Sequence, residues 1–161
     1  MLLRHYFAGQ RFVMTSPLAV SAVEQQVTQA AGSRFSPLAS GVVGGVRRGH
    51  LRLAYRRSML DYNAKPILVG WILDRKGNSE ISLKYRAPIF AYVFFASWYL
   101  FLSIMFLVLL MNGEVSFSGI LSFFGVIPLF LHYVGTAQSD ADLKVMLDFL
   151  AENAGARLVE S

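Results

Sequence analysis

Ala87–Gly113 reads APIFAYVFFASWYLFLSIMFLVLLMNG and Val115–Ser139 reads VSFSGILSFFGVIPLFLHYVGTAQS; neither holds a charged residue, and Glu114 alone separates them. A helix from Pro88 to Met111 would rise about 36 Å, enough to cross the roughly 30 Å hydrocarbon layer with some tilt. Pro88 suits a first helical turn, where its missing N–H costs nothing. The second stretch is softer, with Gly119, Ser122 and Gly125 near one helical face as a close-approach surface. Pro128 is expected to bend it. Together the stretches predict a transmembrane helical hairpin over residues 87–138. The plainer alternative is a core helix of a soluble domain, but the rest of the chain is too short to bury it on all sides.

Charge divides unevenly around this segment. Met1–Ala87 carries thirteen Lys/Arg against four Asp/Glu, and Pro88–Ser161 carries two against six. The first part is therefore +9, the second −4, and the pI of about 9.7 belongs to the first. Lys84 and Arg86 stand just before the first apolar stretch, while the junction holds Glu114 and no cation. By the positive-inside rule both termini are expected in the cytoplasm, in a multi-pass inner- or plasma-membrane protein. Met1–Gln10 has no continuous apolar run, so a removable signal is not expected there. The chain has no cysteine, which excludes disulfides and thiolate chemistry.

Within the apolar stretches, Tyr92 and Tyr133 read as interfacial anchors. Trp98 and Tyr99 fall near mid-span and need partners for their polar atoms. His132 is the one ionisable group with a titration near neutrality there, and it has no acidic companion to make a proton path.

Residues 1–86 have the grammar of an α+β domain with a mostly antiparallel sheet. Tyr6–Thr15 reads as a strand. Ser21 and Glu24 form a capping-box pattern ahead of Val23 and Val27, and Gly32 supplies a stop. Val42–Arg47 and His50–Arg57 flank a turn at Arg48 and Gly49. Leu51, Leu53 and Tyr55 alternate with Arg52, Ala54 and Arg56, the period of a strand with one buried face. Pro66–Leu73 and Ser79–Arg86 flank Asp74–Asn78 in the same way. The helix should cover one face of this sheet.

Arg56, Arg57, Lys84 and Arg86 are the candidate contacts to anionic lipid or to the acidic face of a partner, each juxtamembrane cation contributing about 1 kcal/mol. The plain alternative is a solvated strand face that only fixes topology. Glycines 41, 44, 45 and 49 lack the strand–turn–helix setting of a phosphate loop, so close strand packing explains them more simply. No zinc-finger, basic-zipper or RNA-recognition pattern supports nucleic-acid binding.

Residues 139–161 open on Ser139, Asp140 and Asp142, which suit a helix N-terminus. Leu143, Met146, Leu147 and Leu150 form an apolar stripe, so this amphipathic helix is expected to dock on the basic domain or on another subunit.

Chemistry is thinly represented. The three histidines, His5, His50 and His132, form no metal-binding spacing, and no cofactor motif is present. Asp61, His50 and Ser58 are the one combination that folding could assemble into a base and nucleophile, without any serine-nucleophile context. No catalytic or metal site is therefore assigned. The layout resembles that of small bacterial inner-membrane proteins with a cytoplasmic N-terminal domain and two spans, a resemblance of arrangement alone. With no catalytic constellation, the expected role is a noncatalytic accessory, assembly or scaffolding subunit of a larger membrane complex, with homo-oligomerisation as a further option. The alternatives are a membrane-linked sensor binding anionic phospholipid and a membrane-bound enzyme of unknown reaction.

Overall fold

Alternation decides the strands. In a computed structural model describing residues 9–33, 40–57, 65–113, 123–130, 133 and 139–159, Leu51 and Leu53 of β3 (His50–Arg56) are fully buried. Ile81, Leu83 and Tyr85 of β5 (Asn78–Arg86) are buried in the same rhythm. Charged residues occupy most of the intervening positions, so one face is apolar and the other wet. With β1 (Gln10–Ser16), β2 (Gly41–Arg47), β4 (Ile67–Arg75) and β6 (Arg157–Leu158), they make a six-stranded antiparallel sheet. Its order is β2-β3-β4-β5-β1-β6.

Both hairpins turn on a basic residue followed by glycine. Arg48 and Gly49 have φ of 53° and 76°, and Lys76 and Gly77 have 55° and 91°. Positive φ at both central positions is what a two-residue hairpin with right-twisted strands requires. Gly44 of β2 meets a different demand: its φ is 136°, and a Cβ there would lie 2.1 Å from the Arg52 carbonyl oxygen.

Two helices seal the inner face. α1 (Val20–Ala30) buries Val23 and Val27, and α4 (Ser139–Ala154) buries Leu143, Met146 and Leu150 among Leu51, Leu53, Leu68 and Ile81. Leu147 packs at the margin of this core. Burying a side chain of this size contributes about 1.5–3 kcal/mol, so the leucine stripe makes α4 part of the sheet's core. Thr28 secures the edge strand, its hydroxyl accepting from the Val46 N–H at 3.0 Å and donating to the Val46 carbonyl at 3.2 Å.

The capping box does not form. α1 begins at Val20, with Ala19 at the cap and no side-chain cap bond. Glu24 instead accepts the Arg48 backbone N–H at 2.9 Å, bracing the β2–β3 turn. Gly32 takes no left-handed cap either; it pairs with Val43 as a parallel bridge on the open edge of β2.

The chain divides into two units, Met1–Ala87 with Gln138–Ser161 and Pro88–Ala137. In the second, α2 (Ile89–Met111) is 23 residues long with mean hydropathy 2.4, and 6% of its most apolar window is buried. Among the described residues it is the one helix long and apolar enough to cross a membrane. The second apolar stretch contributes α3, residues 123–130 among those described, and no second helix long and apolar enough to span is found among the described residues. The expected two-helix transmembrane hairpin is therefore not supported. The multi-pass placement with both termini cytoplasmic falls with it.

Candidate functional site

The C-terminal helix is held by polar contacts as well as by leucines. Tyr85 donates its buried hydroxyl to the Ser139 carbonyl at 2.8 Å. At the other end the Ser16 hydroxyl donates to the Ala154 carbonyl at 2.5 Å. Between them lies Asp142, whose side chain is only 4% exposed. Its Oδ1 accepts from Arg57 Nε at 3.2 Å and Nη2 at 2.7 Å. Its Oδ2 has the Lys65 ammonium 3.3 Å away, an ionic contact without hydrogen-bond geometry. Arg57 and Lys65 bracket residues 58–64, so one carboxylate ties both bases of the β3–β4 connection to α4. A buried pair of this kind costs desolvation to form, but losing one partner strands the other's charge.

This arrangement separates the four cations expected to touch lipid or a partner. Arg57 is engaged by Asp142 and serves the fold. Arg56, Lys84 and Arg86 occupy positions on the sheet face opposite the core, by strand alternation. Lys84 is flanked in register by Val69 on β4 and Arg11 on β1. Arg11, which sequence reasoning did not single out, thus joins the same row. The signal was present, since Arg11 alternates with Phe12 and Met14, but the pairing of β1 with β5 spans some seventy residues.

His50 stands beside Trp71 in the adjacent row, their rings 4.8 Å apart at 74°. Asp61 and Ser58 lie outside the described residues, so the His50–Asp61–Ser58 combination has no described geometry. Arg11, His50, Val69, Trp71, Lys84 and Arg86 border a shallow hollow of about 330 Å³. A larger one, about 570 Å³, opens near Ser16, Asn78 and Arg157. Many of its polar groups are committed: Ser79 donates to the Leu18 carbonyl at 2.6 Å, and Arg75 pairs with Glu80 at 3.0 Å. Among the described residues no cluster of three metal-binding side chains occurs.

In the second unit, Gly119 and Ser122 lie outside the described residues, while Gly125 belongs to α3. A Cβ at Gly125 would meet Leu102 at an ordinary 3.8 Å. Trp98 and Tyr99 of α2 donate to the Phe124 and Gly125 carbonyls at 3.3 and 2.8 Å. Pro128 explains the first acceptor. Lacking an N–H, it cannot bond the carbonyl four residues earlier, and that carbonyl belongs to Phe124. The indole fills the missing place.

No protein-family model matches the chain, and neither the curated proteins nor the solved structures contain a match.

Proposed function

We propose that this chain is a membrane-attached accessory protein, noncatalytic, whose α+β unit serves as a docking module within a larger membrane assembly. The observation that carries the reading is α2. Its 23 residues carry no charge, and large apolar side chains along its length, from Ile89 and Phe90 to Leu110 and Met111, are exposed. Such a surface is costly in water and stable in hydrocarbon. Only Ala87 and Pro88 separate this helix from β5, so the domain has almost no linker on that side. An assembly or scaffolding role fits a small sealed core that presents a largely basic outer face. Gly125 and the exposed face of α2 are the proposed contacts to a larger membrane partner or to a second copy of the chain.

Crosslinking in native membranes, followed by identification of the linked polypeptides, tests the reading. The chain should resist alkaline extraction and link to a small, reproducible set of membrane polypeptides. Release into the alkaline supernatant would remove the attachment. Retention without any linked polypeptide would remove the accessory role.

A further inference from the structure

Three cations stand together on the outer sheet face. Arg11 of β1 sits directly opposite Lys84 of β5, and Arg86 follows two residues on, opposite Ile67. Among the described residues no ion pair engages any of the three. Glu80, the acid on the same face of β5, is already held by Arg75. Like charges directly opposite across a strand pair are destabilising unless something neutralises them. Beside this row Trp71 is 56% exposed, with Leu73 at 49% and Val13 at 39%. Cations bordered by an exposed indole and aliphatic side chains are the composition of a surface that settles at a headgroup layer.

We infer that this face docks on a bilayer carrying anionic phospholipid, with Arg11, Lys84 and Arg86 meeting headgroup phosphates and Trp71 entering the interface. The inference rests on the reading of α2 as the membrane attachment. Two observations favour a bilayer over a soluble acidic partner. The hollow is shallow and bordered by cations and apolar side chains together, as a sheet of phosphates over acyl chains requires. Lys84 and Arg86 also belong to the strand that leads into α2, which makes them juxtamembrane wherever α2 meets lipid.

The chain's two tryptophans test the inference separately, since Trp71 lies on this face and Trp98 in α2. Full-length Trp98→Phe and Trp71→Phe chains are placed in nanodiscs of phosphatidylcholine alone or mixed with phosphatidylglycerol. Acyl-chain bromines should quench Trp98 in both lipids. A headgroup spin label should quench Trp71 strongly only in the anionic discs, and added salt should weaken this. Arg11→Gln, Lys84→Gln and Arg86→Gln together should lower the docked-to-undocked ratio on the order of 100-fold, about 5-fold per cation. Circular dichroism confirms that the variant retains its fold. Trp71 quenched equally little in both lipids, with Trp98 still quenched, overturns the docking face and leaves the attachment standing. Loss of Trp98 quenching overturns the attachment itself. Protection of Trp71 by an acidic peptide or by polyuridylate, with no response to anionic lipid, overturns the bilayer in favour of that partner.

Discussion

The two faces of the sheet use the same residue type for opposite ends. On the inner side Arg57 is drawn to a buried carboxylate, with its guanidinium 2.7 Å from Asp142, and its charge is spent on holding α4. On the outer side Arg11 and Arg86 have no such acid among the described residues, and their neighbours are Lys84, His50 and Trp71. A cation that the fold neutralises is structural, and a cation that it leaves beside another cation is where the proposed docking to anionic lipid would act. Net charge alone does not make this distinction, since all of these residues contribute to the same basic half.

The largest effects should appear where the inner face is sealed. Leu150→Ala removes a fully buried side chain and should cost about 4 kcal/mol of unfolding free energy. Urea denaturation of the purified chain measures this, and a loss below about 1 kcal/mol would mean that α4 is not part of the core. Asp142→Ala should follow at about 3 kcal/mol, because it removes the buried carboxylate that both Arg57 and the Lys65 ammonium, only 14% exposed, face. A neutral result would class the pair with solvated surface bridges. Thr28→Val, which keeps the shape and removes both hydrogen bonds to Val46, should cost about 1–2 kcal/mol. Protection of the β2 amides against hydrogen exchange should fall with it. Smallest of all, Trp71→Ala should change stability by no more than about 0.5 kcal/mol, since the indole is exposed. A larger loss would make the outer face structural after all and dissolve the contrast.

Much of the α+β unit is legible because its signals are local. Alternation in β3 and β5 and the Arg48–Gly49 turn need only neighbouring residues, and the leucine stripe of α4 is visible at helical spacing. What was missed depends on distant partners. Ser21 and Glu24 carry a capping pattern, yet the Arg48 N–H, 24 residues away, has the stronger claim on the carboxylate. Asp142 reads as a favourable charge at a helix N-terminus, and its engagement with Arg57, 85 residues upstream, has no local trace. The insertion of β1 between β5 and β6 is equally nonlocal, so Arg11 was not placed beside Lys84. The second apolar stretch misled for another reason. Freedom from charge is needed for a span, but a long helix is needed too, and among the described residues only α2 is one.

The central contrast is tested most directly by comparing headgroup quenching of Trp71 in two charge-neutralised chains, both in the Trp98→Phe background. One carries Arg11→Gln, Lys84→Gln and Arg86→Gln, and the other Arg57→Gln. The ratio of quenching in anionic to neutral nanodiscs should fall to about one in the first, as expected when the headgroup-attracting charges are gone. It should stay at the parent value in the second. Equal losses in the two chains, or an unchanged ratio in the first, would contradict the division of labour between the faces.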